Sequence, residues 1–417
     1  MQVHSVTLGG RCGEGPIIGR AQGAGYDIKA HSDWPSTRGP VGLESAPASS
    51  FCAGDFTMQT RITRLLGIRH PLICPGMTYV SNAELIAAVS NAGGLGILAV
   101  GHLDAEQTRA EIRRTRELTD KPFGVGVALI MPGATRNAEI AVEEKVPVIN
   151  FSLGKGDWLC EQVHAYGGKV IATVVTEKHA KAAERSGVDA LLVTGHEAAA
   201  HGGEVTSLVL IPAIRQVSKL PIIATGGFAS GGGLLAALAL GADAVAMGTR
   251  FATSKESPVH ANTKQLIVEK KVEETIYTPN FDGMPSRIMK TPAAQKRTAK
   301  PLTLMAAMAK AISAARASGR PLLEVIAEVM KNGIANTLKL AYFGASIEEI
   351  RLAIQEGDHE KGVQLIGQAQ GLVHDVLPCA DIMQRVLQEA EVALAAVTPQ
   401  LQADAAVAVP SRATETV

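Results

Sequence analysis

Eight short apolar runs between residues 70 and 249 constrain the fold of this chain more than any other feature. They are "HPLIC" (70–74), "LGILAV" (95–100), "PFGVGVAL" (122–129), "PVINFS" (147–152), "KVIATVV" (169–175), "DALLVT" (189–194), "LPIIATG" (220–226) and "DAVAMGT" (243–249). They are apolar and often β-branched, with little alternation, the pattern of parallel strands covered on both faces. Amphipathic helical stretches lie between them, such as "AEQTRAEIRRTRELT". Another is "EKHAKAAERSG", with Ala180 and Ala183 three residues apart and a glycine stop at Gly187. Eight strands alternating with helices is the count of a TIM (β/α)8 barrel. A doubly wound open sheet is the alternative; the strand count and the lack of a GxGxxG after the first strand favour the barrel.

The flanks read differently. Residues 1–57 are rich in Gly, Ser and Pro and hold no lasting period, so they are expected to be a disordered N-terminal extension or the product of an upstream start codon. No charged start leads into an apolar stretch there, which argues against a secretory signal. Patterned sequence begins at Met58, and the barrel is expected over 58–255. From 256 to 397 helical patterns dominate, as in "LTLMAAMAKAISAARASG" and "DIMQRVLQEAEVALAAV", giving an additional C-terminal helical portion over the barrel mouth. Residues 398–417 read as a disordered tail.

Bulk properties narrow the partners. With 40 basic and 40 acidic side chains, the chain has no electrostatic reason to bind nucleic acid or an anionic membrane. No stretch is long enough for a membrane span. The five cysteines, Cys12, Cys52, Cys74, Cys160 and Cys379, are scattered and form no CxxC pair. A disulfide framework or zinc site is therefore not expected, and a reducing, cytoplasmic location fits. A small-molecule substrate is expected, and a homodimer is the assembly considered.

In such barrels chemistry gathers at the C-terminal ends of the strands. After the first run comes "CPGMTYV", where Pro75 and Gly76 make a turn and Met77 can lay a soft side chain over a ring. After the seventh comes "TGGFASGGG", starting at Thr225, and after the eighth "MGTRF". Gly226, Gly227, Gly248 and Thr249 there offer bare amides and a hydroxyl; each loop alone could hold glycine for steric reasons, but together they read as the phosphate site found after strands 7 and 8 of many barrels. After the sixth comes "GHEAAAHGGE", residues 195–204. His201 could pack, bind a metal or act as a base. His196, five residues earlier, gives no third ligand by spacing, so no metal is expected. The neighbours Ala198, Ala199, Ala200, Gly202 and Gly203 have almost no side chain, which leaves the imidazole protruding at the active face.

Three stretches carry a resemblance to a known family: "PLICPGMTYVSNAELIAAVSNAGGLGIL", "GHEAAAHGGE" and "PIIATGGFASGGGLLAALALGADAVAMGTRFATSKES". Over roughly residues 58–395 the chain resembles the nitronate monooxygenase family, formerly 2-nitropropane dioxygenases. That family shares fold and motifs with flavin-dependent enoyl-acyl-carrier-protein reductase II and some NADH:quinone reductases. The resemblance implies a barrel that holds FMN. Phosphate contacts would fall on Gly226, Gly227, Gly248 and Thr249, with Thr225 beside them, and Gly76, Met77 and Thr78 would pass the flavin ring. His201 matches the family's active-site histidine. Ala199 and Ala200 stand where the family usually has a glycine, Gly126 and Ala128 where it has a polar flavin contact, and Thr173 where it often has a lysine; Ala199 and Thr173 are counted with the cofactor set. The implied activity is oxidation of nitronates or nitroalkanes with O2. The rivals are NAD(P)H-dependent reduction of an enoyl thioester or a quinone, and a non-catalytic barrel that binds a phosphorylated ligand. His196 and His179 are expected to be surface or helix residues, Glu197 to brace its loop, and Ser152 to touch substrate.

Overall fold

The computed structural model describes residues 58–199, 201–317 and 334–403. The expected extension over 1–57, Ala200 and the last part of the expected tail lie outside them. The eight apolar runs form β1 (Leu72–Cys74), β2 (Leu95–Ala99), β3 (Phe123–Ala128), β4 (Val148–Ser152), β5 (Lys169–Val174), β6 (Ala190–Thr194), β7 (Ile222–Thr225) and β8 (Ala244–Ala246). They pair in parallel, in chain order, and β1 closes on β8 through Leu72↔Val245 and Ile73↔Ala246. This is the expected TIM barrel.

Alternate strand residues divide into two cores, because successive side chains point to opposite faces. Ile73, Ile97, Val148, Ile171, Leu192 and Ile223 form one cluster with Ile62 and Leu66, so this set fills the bore. Leu98, Val125, Ile149, Val170, Leu191 and Val245 belong to the cluster shared with the surrounding helices. Ile62 and Leu66 come from α1 (Arg61–Leu66), which plugs the N-terminal end of the barrel and is tied to the start of β8 by a two-pronged Arg61–Asp243 pair at 2.6 and 2.7 Å. Glycines in β3 give the bore its room: a Cβ on Gly126 would stand 3.3 Å from the Ile97 side chain.

The crossover helices are α2 (Ala83–Asn91), α3 (Ala105–Leu118), α4 (Ala134–Glu143), α5 (Asp157–His164), α6 (Glu177–Arg185), α7 (Ser207–Val217) and α8 (Gly231–Ala239). Local chemistry sets their starts. Asp104 and Gln107 form a reciprocal capping box on α3, and Thr176 caps α6. Ala180 and Ala183 are the buried positions of α6, as their spacing suggests.

After the short α9 (Gly248–Ala252), the chain adds α10 (Ala261–Glu269), β9 (Thr275–Thr278), β10 (Ser286–Met289), α11 (Pro292–Thr298), α12 (Leu304–Ala317), α13 (Ile334–Arg351) and α14 (Cys379–Ala403). The portion is mainly helical, but β9 and β10 form an antiparallel hairpin that no strand pattern in the sequence suggested. The last helix also runs past the expected boundary at Val397, through Pro399, to Ala403. It docks on the barrel through small residues: a Cβ on Gly231 would sit 2.2 Å from Ala390 N and Val386 O.

Candidate active site

A cavity of about 690 Å³ opens at the C-terminal ends of the strands. All the residues singled out from sequence for cofactor or catalysis reach its wall: Gly76, Met77, Thr78, Thr173, Ala199, His201, Thr225, Gly226, Gly227, Gly248 and Thr249. Ser152 and His179 reach it too.

The turn after β7 is built for glycine. Gly226 and Gly227 have φ of 105° and 84°, a region that side chains rarely adopt. A Cβ on Gly226 would stand 3.1 Å from both Gly195 O and Ser207 Oγ. Thr225 Oγ1 donates to Ala246 O at 3.0 Å and so ties β7 to β8 below the turn. The opposite rim is held by Ser81, whose hydroxyl donates to Pro75 O (2.8 Å) and accepts from Met77 N–H (3.0 Å). That bond fixes Met77, and its sulfur lies 3.4 Å from where a Cβ on Gly248 would be.

"GHEAAAHGGE" resolves into three tasks. Glu197 accepts from Ser207 N–H (2.9 Å) and Ser207 Oγ (3.0 Å), so it caps α7 from outside the helix, where the Thr206 side chain makes no capping bond. His196 is structural: Nδ1 lies 3.0 Å from Gly203 O, the ring meets Tyr277 edge-on, and its carbonyl accepts two bonds from Arg287. Burial lowers the Arg287 pKa and raises that of Tyr277, while the Tyr277 hydroxyl donates to Gly202 O at 3.1 Å. His201 behaves differently. Its Nε2 lies 2.9 Å from Asp282 Oδ2, and Asp282 has no exposed surface.

Asp282 was not visible from sequence as a site residue, since its partner lies 81 positions away. A "DG" between two short runs was the available turn signal. Two further residues were missed. Asn150 lies buried on β4, and its amide donates to Thr173 Oγ1 (3.1 Å) and Ile171 O (3.1 Å). It supplies polarity next to the bare Gly126 and Ala128, and a lone amide inside an apolar strand was its signal. Gly367 threads against the loops: its N–H donates to Thr249 Oγ1 (3.3 Å), while Gln368 N–H donates to Glu197 O (2.9 Å). The far wall is apolar and comes from the later part of the chain, with Met284, Phe343, Ile347, Ile350 and Ile354.

A second groove, between α3 and α4, is lined by Arg109, Arg113 and Arg136, which are spent on Glu143 and Glu144. Among the described residues no three His, Cys, Asp or Glu side chains gather as metal ligands, and no helix is long and apolar enough to cross a membrane.

A parallel eight-stranded barrel with a glycine-lined cavity at its C-terminal mouth, and in the wall a histidine paired to a buried carboxylate, is an architecture suited to barrel enzyme chemistry. The nitronate monooxygenase family profile matches residues 59–138 and 130–389, and the chain belongs to that family. A Rhodococcus jostii protein named (3aS,4S,5R,7aS)-5-hydroxy-7a-methyl-1-oxo-octahydro-1H-indene-4-carboxyl-CoA dehydrogenase is 32% identical over 339 residues, 80% of this chain and 96% of that protein. A probable nitronate monooxygenase of Staphylococcus aureus is 30% identical over 275 residues, 55% of this chain and 78% of that protein. The structure of FabK from Thermotoga maritima superposes with a TM-score of 0.70 at 34% identity, covering 82% of this chain and all of the other. The protein is an oxidoreductase.

Proposed function

We propose that this protein is an FMN-dependent oxidoreductase that acts on a carbon centre of an acyl thioester, with His201 as the group that moves the proton. One observation carries the reading: the cavity is composite. Barrel loops line one side and the segment after residue 255 lines the other. The likeness to a dehydrogenase of a CoA ester runs through 96% of that protein, so it takes in both sides.

The residues present fit FMN. The positive-φ pair Gly226–Gly227 and the start of α9 at Gly248 present backbone amides on adjoining strands, as a phosphate requires. A side chain on Gly226 would meet backbone and Ser207 at once, so the cradle stays open only with glycine. Bound there, FMN would supply two-electron exchange with the substrate carbon. Thr225, Gly226, Gly227, Gly248 and Thr249 would hold the phosphate end. Gly76, Met77 and Thr78 would contact the ring, and Thr173, oriented by Asn150, and Ala199 would complete the set. Met284, Phe343 and Ile350 exclude water. In the oxidising direction, His201 accepts the proton of a substrate hydroxyl while the hydride leaves the carbon; in the reducing direction it returns a proton.

A second reading is favoured by the family match over 59–138 and 130–389: His201 takes the α-proton of a nitroalkane, and O2 is the oxidant. The test is an absorbance spectrum followed by anaerobic titration. Bleaching by a hydroxyacyl-CoA, or by NAD(P)H with recovery on adding an enoyl-CoA, supports the thioester reading. Oxygen uptake with propionate 3-nitronate and no response to any thioester overturns it for the second. A colourless protein that takes up no FMN overturns both.

A further inference from the structure

Resting on the reading of His201 as the proton-moving group, we infer that Asp282 is its positioning residue and that Nδ1 is the nitrogen that exchanges the proton with substrate. The Asp282 carboxylate has no exposed surface. A buried carboxylate is costly unless each oxygen is matched. Oδ1 accepts from Met284 N–H at 3.2 Å, and Oδ2 lies 2.9 Å from His201 Nε2. An ionised carboxylate only accepts, so Nε2 is the nitrogen that carries the hydrogen. In the neutral ring Nδ1 is then the bare one. Nδ1 has no hydrogen-bond partner among the described residues and is not among their buried unpartnered atoms, while the residue itself lies on the cavity wall.

The loop that delivers Asp282 is held on every side. Arg297 donates to Asn280 O (3.1 Å) and Phe281 O (2.7 Å), and Ser346 Oγ donates to Phe281 O (2.8 Å). Gly283 takes φ 82°, and a Cβ there would stand 2.7 Å from Tyr342. Several other charged and titratable groups on these elements are committed elsewhere: Arg297 to Glu349, Arg287 to His196 O and Thr275, Arg351 to Glu348, and Tyr277 to Gly202 O. Among the described residues Asp282 thus has one side-chain partner, and that partner reaches the cavity wall. A carboxylate needed only for packing would not be aimed there.

The experiment uses the flavin-loaded protein. In wild type labelled with [15N]histidine, His201 should give an N–H signature at Nε2 and a bare-nitrogen signature at Nδ1. Asp282→Asn should keep its FMN and lose kcat by about 10²–10⁴-fold, the span of general acid–base catalysis, with KM nearly unchanged and the 15N pattern mixed or inverted. In a His201→Asn background the same change should cost nothing further, because the two act as one unit. Nδ1–H in the wild type overturns the inference without any variant. So does an Asp282→Asn enzyme of wild-type kcat, or one that loses as much activity when His201 is already absent. Wild-type activity in His201→Asn alone would instead overturn the reading of His201.

Discussion

The two sides of the cavity are made in opposite ways. On the barrel side, the wall around the β7 and β8 turns is backbone and small residues, Gly226, Gly227 and Gly248 with Gly76 and Ala199, set on strands buried on both faces. The side built after residue 255 contributes the apolar side chains Met284, Phe343, Ile350 and Ile354, and the fully buried Asp282 pairs to His201. A surface of amides suits one rigid ligand, whereas side chains can be exchanged one at a time. On the proposed reading, the glycine turns of the barrel serve the cofactor, while Asp282 of the later segment positions the barrel's His201 and the apolar side chains around it shape the substrate end.

The most severe way to break this division is to remove one partner. A chain ended at residue 255 should be insoluble or colourless, because α14, with buried Met383, Val386 and Ala390, is packed on the barrel. Soluble, yellow, fully active protein would show the barrel to be self-sufficient. Next comes Gly227→Asp, which sets a carboxylate where a phosphate dianion should lie, on a backbone at φ 84° and close to Glu197. Like charges in a poorly solvated site cost several kcal/mol, so flavin should be lost from a folded barrel. Wild-type flavin content measured after refolding checks would refute the cradle. His201→Asn should keep its flavin yet turn over about 10²–10⁴-fold more slowly, which separates cofactor binding from proton transfer. A parallel loss of flavin would mean the two sides are not divided.

Smaller effects sharpen the comparison. Gly231→Ala forces a Cβ to within 2.2 Å of α14 backbone and should cost about 1–3 kcal/mol in thermal or urea unfolding, while flavin spectra stay unchanged. An unchanged melting point would show that α14 is free to shift. The weakest effect is alkaline. Burial pushes the Cys160 thiol up to about 11 and Cys379 up to about 12, from an ordinary 9.0. The unfolded chain therefore releases these protons first. Stability should be full below about pH 9 and decline as pH rises through that window. Both thiols should also resist alkylation in the native protein, read by peptide mapping; fast labelling at pH 8 would contradict their burial.

The same division explains what was legible. Each barrel strand is a continuous apolar run, so even the three residues of β8 could be found, and the closing order follows from the alternation with helices. The hairpin could not. "TIYT" is half-buried throughout and "SRIM" is fully buried, so neither shows alternation, and each is four residues long. His201 was legible because its small neighbours and its place after β6 are local properties. Its partner was not, since pairing across 81 residues is a property of the folded surface. Asn150 sat in plain view within "PVINFS", but only the register Gly126↔Asn150 gives the amide its meaning. Gly367 is favoured by tight packing, with Glu197 O 3.0 Å from its would-be Cβ, which no turn pattern announces.

The hairpin also sets a timetable. Ribosomes extend a chain from its N-terminus at about 5–20 residues per second, so Asp282 emerges roughly 4–16 s after His201. The last barrel strand ends at Ala246, so in the later part of that interval every strand has been synthesised, and the barrel can close while the imidazole has no carboxylate beside it. A nascent barrel can thus acquire its shape before the His201–Asp282 pair forms, so the order of synthesis separates the closing of the barrel from the completion of its cavity.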